Sequence, residues 1–282
     1  MKDDLVSIYI PSFNRPALLK RAVTSVLLQT YPHIEVVVAN DGDELPQDLL
    51  DYLSQNDVIY LKTKGKEGAC KARNMAIEVS KGKYITGLDD DDYFENSRIE
   101  SFVKATTQHG DAIYFTGYTF LQGSVKKFRK PLFDNVSISE MLKKNYINNQ
   151  VFAPKSYFVE AGGFDESLPA WQDFDMWIRM IKLFGDAKLI DTYDYVMDAN
   201  TDVRISKNIT AVCKAIDIFL LKHSEYQTNN CDKAYLFANK QNYPEAPLVL
   251  SEYLFMYKNL APTLVTVLLL KKIIYKTLGL KL

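Results

Sequence analysis

Over its first 120 residues the chain switches repeatedly between two hydrophobic periods. Val6-Ser7-Ile8-Tyr9-Ile10 is a nearly continuous apolar run of strand length, the pattern of a strand covered on both faces. Residues 16–29 take the helical period, with Pro16 in the first turn, where its missing N–H has no partner to lose. The alternation continues through strand-like 34–39, helical 45–54, strand-like 58–61 and helical 68–80, which Gly82 closes. Strand-like 84–88 and helical 98–109 follow. Such alternation predicts an α/β fold with a mostly parallel sheet covered by helices. Ligands of these sheets bind beyond the carboxyl ends of the strands. Asn14, Asp41 and the run Asp89-Asp90-Asp91-Asp92 all follow predicted strand ends.

Beyond residue 111 the pattern becomes irregular, with a strand-like stretch at 112–120. Residues 171–184 read as a helix whose apolar stripe is Met176, Trp177, Met180 and Ile181. Residues 209–221 and 247–257 are further predicted helices. With no internal repeat and no low-complexity linker, no hinge between independent domains is expected.

Composition narrows the function classes. A chain of 282 residues that is 47% hydrophobic and 12% aromatic can bury a sizeable core. A formal net charge of −1 gives no footprint for nucleic acid, so no nucleic-acid partner is expected. Cys70, Cys213 and Cys231 are widely spaced and have no histidines at ligand spacing, which argues against zinc and against a disulfide framework. Reduced cytosolic thiols are the expectation. Met1-Lys2-Asp3-Asp4 runs straight into a strand, so no signal peptide is expected, and no stretch reaches the ~18 apolar residues of a membrane span.

The most informative chemistry is the four-aspartate run that closes Tyr84-Ile85-Thr86-Gly87-Leu88. Adjacent carboxylates repel one another, and a divalent cation carrying a diphosphate would offset that repulsion. A solvated acidic turn between strand and helix is the competing reading.

Seven segments stand in a fixed order: Val6-Ser7-Ile8-Tyr9-Ile10-Pro11-Ser12-Phe13-Asn14-Arg15-Pro16, Gln29-Thr30-Tyr31-Pro32, Asn40-Asp41-Gly42, Ala72-Arg73-Asn74, Leu88-Asp89-Asp90-Asp91-Asp92, Gly162-Gly163-Phe164-Asp165-Glu166 and Gln172-Asp173-Phe174-Asp175-Met176-Trp177-Ile178-Arg179. Together they resemble the family 2 glycosyltransferases over roughly residues 5–205. The resemblance implies a GT-A nucleotide-diphosphosugar transferase fold, Rossmann-like and mostly parallel with flanking helices. It makes 1–205 the transferase domain, with a donor half at about 1–110 and an acceptor half at about 111–205, and leaves 206–282 as a helical C-terminal extension. It also implies inversion at the anomeric carbon and a nucleotide-diphosphate sugar donor, UDP foremost. The implied acceptor is a glycan or polyprenyl-diphosphate-linked glycolipid of surface polysaccharide (O-antigen or capsule) biosynthesis.

Carried over residue by residue, the resemblance sets Pro11, Ser12 and Asn14 in the loop that passes the nucleotide, and Asp41 on the uracil. An Asx-type turn is a second use for Asp41, compatible with the first. Arg73, in the helix beginning near Gly68, contacts phosphate or base, or pairs with a carboxylate. The family's Asp-x-Asp falls on Asp89 and Asp91, with Asp91 first for Mn²⁺ or Mg²⁺, Asp89 alongside, and Asp90 for the ribose; Asp92 blurs the register. Asp173 corresponds to the base that deprotonates the acceptor hydroxyl, with helix capping as its alternative. Gln172 stands where the family usually has Glu, beside the acceptor. Trp171 either stacks on a sugar or belongs to a core. Asp175, Trp177 and Arg179 are assigned to helix packing and ion pairing. Arg204 or Lys207 falls where the family has a loop near the donor phosphates.

Residues 253–282 carry five lysines and no acid, with a nearly all-apolar run at 264–270. This suits an interfacial helix on anionic lipid, and a terminal helix packed on the domain is the alternative. The first reading puts a cytoplasmic enzyme at the inner face of the cytoplasmic membrane, in peripheral contact with it. A processive synthase is disfavoured because neither tryptophan sits in a Gln-x-x-Arg-Trp arrangement. A nucleotidyltransferase would open with a glycine-rich loop, which Pro11-Ser12-Phe13-Asn14-Arg15 is not. A non-catalytic nucleotide-sugar-binding or scaffold subunit would not need both the acidic run and Asp173.

Overall fold

The computed structural model describes residues 3–148, 150–200, 209–243 and 246–278. The chain opens with β1 (Val6–Ser12), α1 (Pro16–Leu27), β2 (Ile34–Asn40), α2 (Gln47–Gln55), β3 (Ile59–Lys62), α3 (Ala69–Val79) and β4 (Tyr84–Gly87). It continues with β5 (Tyr93–Phe94), α4 (Arg98–His109), β6 (Tyr114–Gln122), β7 (Val125–Arg129), β8 (Asn135–Val136) and α5 (Ile138–Lys143). Then come β9 (Phe152–Pro154), α6 (Lys155–Glu160), α7 (Gln172–Phe184), β10 (Ala187–Asp198) and the helices α8 (Ile209–Lys222), α9 (Asn230–Gln241), α10 (Leu250–Asn259) and α11 (Pro262–Leu278).

Among the described residues all ten strands join one sheet, in the order β3-β2-β1-β4-β9-β6-β10-β5, with β7 on β6 and β8 on β10. β3, β2, β1 and β4 are mutually parallel, so their carboxyl ends share one edge. β1 is buried along its whole length, as its continuous apolar run requires. α1 buries Leu19, Ala22, Val23 and Val26, a 3–4 spacing that turns one helical face to the sheet. The second half of the sheet is mixed: β9 runs antiparallel to β4 and β6, while β6 and β10 are parallel.

β10 has no counterpart in the sequence reading, and its geometry explains why. Ile190 pairs with Thr116 and Tyr195 with Tyr118, so four residues of β10 lie opposite one of β6. This bulge breaks the period-2 alternation on which strand recognition rests. It also turns Asp194 inward, where its carboxylate receives a hydrogen bond from Arg98 (2.6 Å). Arg98 is fully buried, donates to Thr116 (2.8 Å), and lies over the rings of Phe94, Phe102 and Tyr195. A charge this deep is tolerated because it is paired and hydrogen-bonded.

The chain divides into two compact units. The first comprises Met1–Ser137, Tyr146–Glu166 and Gln172–Asp202, and holds the whole sheet. The second comprises Ile138–Asn145, Ser167–Trp171 and Val203–Leu282. In the second unit α9, α10 and α11 pack through Ala234, Ala238, Tyr253, Met256, Leu260, Val265 and Leu268. Asn239 donates to the carbonyls of Leu142 (3.2 Å) and Lys143 (3.0 Å), satisfying the open end of α5. Lys272 is buried among these helices and donates to Gln241 Oε1; burial lowers its pKa to about 8.

Candidate active site

Three loops at the carboxyl edge of the parallel strands are tied together by short polar side chains. Asn14 adopts a left-handed φ of 54° and joins the β1 loop to the β2 loop. Its Oδ1 accepts from the Asp43 amide (2.7 Å) and its Nδ2 donates to the Asp43 carboxylate (3.0 Å). A Cβ at Gly42 would stand 2.1 Å from Asn14 Oδ1, so the close approach of the two loops requires glycine there. Asn40 makes the Asx-type turn, its Oδ1 accepting from the Gly42 amide (3.0 Å). Asp41 has a different task. Its carboxylate accepts from Thr63 Oγ1 (2.5 Å) and from the amides of Glu67 (2.8 Å) and Gly68 (2.8 Å), drawing the loop before α3 onto β2. Pro11 and Ser12 are buried at the end of β1, and the Ser12 carbonyl accepts from the Asp41 amide (2.9 Å).

The four aspartates after β4 take four different environments. Asp90 is fully buried and bridges to Arg15 and the Phe13 amide (3.4 Å), and burial raises its pKa to about 6 against the pull of Arg15. Asp92 is buried too; it accepts from the Tyr195 hydroxyl (2.7 Å) and the Asp198 amide (2.9 Å), and burial lifts its pKa to about 8. Asp89 and Asp91 keep some side-chain exposure, 23% and 12%. Arginines from three places offset the charge. Arg15 contacts both Asp90 and Asp91 (3.0 Å to the latter), and Arg73 reaches Asp89 (3.0 Å). Arg21 spans the Asp91 carbonyl (2.6 Å) and the Asp198 carboxylate (2.5 Å).

Asp173 lies in the first turn of α7, where the helix dipole favours an anion. It is half-buried, and its Oδ1 is shielded from solvent with no hydrogen-bond partner. Burial raises its pKa to about 7; Arg73 pulls it down and Asp89 pushes it up. Arg73 thus pairs directly with Asp89 and acts on Asp173 through its charge. It is buried, lies 5.3 Å over the Phe164 ring, and keeps Nε and Nη1 without a hydrogen-bond partner. Tyr9 and Gln150 complete this polar floor, with Tyr9 donating to Gln150 (3.5 Å) and Gln150 to Asp89 (3.5 Å). A Cβ at Gly87 would meet Gln150 Oε1 at 2.1 Å and the Tyr9 ring at 2.4 Å, so the floor depends on that glycine.

The motif around Asp173 is braced by its neighbours. Asp175, fully buried, accepts from Arg179 Nε (3.0 Å) and Nη2 (2.7 Å). The same guanidinium donates to the Ala161 and Gly163 carbonyls, fixing the Gly162-Gly163-Phe164 loop. Asn74 closes that loop by exchanging two 2.8 Å bonds with the Phe164 backbone. Gln172 is buried at the start of α7. Trp171 belongs to the second unit; its indole N–H donates to Tyr243 (3.2 Å) and its ring sits edge-on to Phe219. Arg204 and Lys207 lie outside the described residues.

One carboxylate oxygen from each of Asp89, Asp91 and Asp92 falls within 4.8 Å of the other two. An all-oxygen carboxylate set of this size fits a hard divalent cation, and the two partly exposed members, Asp89 and Asp91, are the ones turned to solvent. Arg15, Tyr9 and Gln150 are members of the site that the sequence reading did not single out. Arg15 had a detectable signal: it is the N-cap of α1, where a cation opposes the helix dipole and needs an anion nearby. Gln150 lies in an irregular stretch without any motif.

The carboxyl edge of this α/β sheet thus brings together an acidic cluster, a buried arginine and a shielded carboxyl. Residues 7–164 match the family "Glycosyl transferase family 2". WcaA of Escherichia coli (strain K12), named for a glycosyl transferase of colanic acid biosynthesis, is 34% identical over 204 residues, 70% of this chain and 73% of that one. The chain belongs to glycosyltransferase family 2, and it is a glycosyltransferase. Among solved structures, residues 1–349 of Staphylococcus aureus TarS in complex with UDP-GlcNAc superimpose with a TM-score of 0.64 at 14% identity, covering 96% of this chain and 91% of that one. Full-length TarS is longer, and the chain covers 52% of it. The mannosyltransferase PcManGT of Pyrobaculum calidifontis, in complex with GDP-Man and Mn²⁺, gives 0.58 at 13% identity, covering 98% of this chain and 81% of that one. At these identities the likeness is one of fold.

Proposed function

We propose an inverting, metal-dependent, non-processive transferase that moves a sugar from a nucleotide-diphosphate donor, UDP foremost, to a hydroxyl of a surface-polysaccharide precursor. The observation that carries this reading is Asp173: a shielded carboxyl with a pKa near 7, joined through Arg73 to the acidic cluster. A base with a pKa close to the working pH removes a hydroxyl proton efficiently and is ionised often enough to do so. The acceptor oxygen forms its bond to the anomeric carbon as the bond to the diphosphate oxygen breaks. The acceptor proton passes to Asp173 Oδ, and the nucleoside diphosphate leaves with the electron pair. Attack from the face opposite the leaving group inverts the centre. Asp89 and Asp91 would hold Mn²⁺ or Mg²⁺, which when bound stabilises the charge on the departing diphosphate. Asp41 holds the loop beside the nucleotide, next to Pro11, Ser12 and Asn14. Arg73 keeps Asp89 and Asp173 from repelling one another.

The acceptor class rests on WcaA, whose name concerns colanic acid, and it extends to glycans carried on a polyprenyl diphosphate. A peripheral contact with anionic lipid accompanies this reading. No helix among the described residues is long and apolar enough to cross a membrane. α10 exposes Leu250, Leu254 and Tyr257, and α11 exposes Leu264, Val267, Leu270 and Ile273. A 2.7 Å bond between the hydroxyls of Tyr257 and Thr266 sets these rows side by side, and residues 253–282 carry five lysines and no acid. An apolar face beside a predominantly basic segment complements an anionic bilayer surface.

The experiment for the metal and donor reading is a transfer assay with chelator. Excess EDTA abolishes transfer, and Mn²⁺ or Mg²⁺ restores it. Asp91→Ala weakens UDP binding and turnover together. Full activity in chelator contradicts the metal assignment.

A further inference from the structure

Arg15 stands against the same carboxylate that a cation would need. Its Nη1 lies 3.0 Å from Asp91 Oδ2, while Nη2 and Nε (3.3 Å) hold Asp90. The two carboxylates differ in kind. Asp90 is fully buried and also takes the Phe13 amide, so it is a fixed anchor for the guanidinium. Asp91 is partly exposed and is one of the three carboxylates grouped closely enough to share an ion. Arg15 itself has 28% of its side chain exposed, which leaves its outer edge accessible from solvent.

We propose that Arg15 is a built-in counter-cation that gates the metal site, a positioning role that rests on the metal reading given above. Through this contact Arg15 neutralises Asp91 and competes with a bare divalent ion for it. When the ion arrives with a nucleoside diphosphate, Asp91 passes to the ion and Arg15 pivots on Asp90 toward the phosphates. The guanidinium then exchanges one anionic partner for another. Its planar fork of donors suits both a carboxylate and a phosphate, whereas a lysine could hold only one of them at a time. The consequence is thermodynamic: metal and nucleotide tighten one another's binding, and part of that mutual tightening belongs to Arg15. The gate keeps the site from loading with metal alone.

The test measures Mn²⁺ binding by electron paramagnetic resonance, with and without UDP, in the wild type and in Arg15→Met. Removing the competing charge should tighten binding of Mn²⁺ alone several-fold. The factor by which UDP tightens Mn²⁺ should fall by about tenfold, the loss of one charge-assisted phosphate contact. Because Arg15→Met leaves Asp90 buried and unpaired, the pair Arg15→Met/Asp90→Asn removes both charges together and should give the same two shifts. Arg15→Lys, which keeps a charge on Asp90, should lose most of the UDP-dependent tightening. Unchanged Mn²⁺ affinity without nucleotide in folded variants, together with an unchanged UDP factor, overturns the gate while leaving the metal site standing. If the wild type binds no Mn²⁺ even with saturating UDP, the metal reading and the gate fail together.

Discussion

At the scale of single residues, the acidic run is an arrangement of roles rather than a pool of charge. Asp92 and Asp90 are held by Tyr195, the Asp198 amide, Phe13 and Arg15, while Asp89 and Asp91 pair with Arg73 and Arg15 and keep some side-chain exposure. The sequence reading supplied only a cation to offset the run. The protein supplies three arginines as well, brought from α1, its N-cap and α3 by folding, and of these only the N-cap Arg15 has a local signal. Asp173 carries a prediction with a definite sign. Its folded pKa, about 7, is raised above the ordinary carboxyl value. With Asp173 as the proposed base, kcat/KM should drop about tenfold per unit as pH falls below 7 and level off above it. The same shift means the fold binds the extra proton, so this group's contribution to stability is present at low pH and is lost as pH rises through 7. A kcat/KM that rises on acidification contradicts the assignment. Asp175 is the structural counterpart. Asp175→Asn should lower stability by about 2 kcal/mol through the weakened Arg179 pair, read as a fall in Tm, while kcat in the folded fraction is retained.

At the scale of elements, the alternation that was legible built the parallel half of the sheet and its carboxyl edge. The signal there is strong because β1, β2 and β4 are covered on both faces and read as unbroken apolar runs. Of the mixed half, only β6 was legible, as the strand-like stretch 112–120. β10 carries a bulge, β7 is exposed along its whole length, and β5 and β8 are two residues each, so none shows a clean period. The C-terminal lysines illustrate a further limit. Lys272 looks like its neighbours in sequence but is buried against Gln241, because α11 turns Val265, Leu268 and Lys272 onto one face. Its opposite face remains apolar, and this sets the prediction for the element. The double substitution Val267→Asp/Leu270→Asp should abolish co-sedimentation with phosphatidylglycerol vesicles and leave turnover of a soluble acceptor analogue unchanged. Equal binding to neutral phosphatidylcholine vesicles, or no binding by the wild type, contradicts an electrostatic lipid contact.

At the scale of the whole molecule, the sheet edge, the acidic cluster and α7 form one device for separating two kinds of carboxylate. Asp89 and Asp91 keep 23% and 12% side-chain exposure, Asp173 Oδ1 is shielded, and Arg73 pairs with Asp89 while feeling the charge of Asp173. Binding of UDP with Mn²⁺ should raise Tm more than the sum of either alone, since both bind only the folded state and each supports the other. Simple additivity of the two shifts would argue that they occupy separate places. The most direct measurement is the kcat of Asp173→Asn with the natural acceptor, taken alongside its UDP affinity and Tm. Asparagine is nearly isosteric and can still occupy the first turn of α7, so the fold and UDP affinity should be kept. The loss of proton abstraction should lower kcat by about 10²–10⁴, the scale of a positioned general base. A near-normal kcat in that variant would place the base elsewhere and contradict the account.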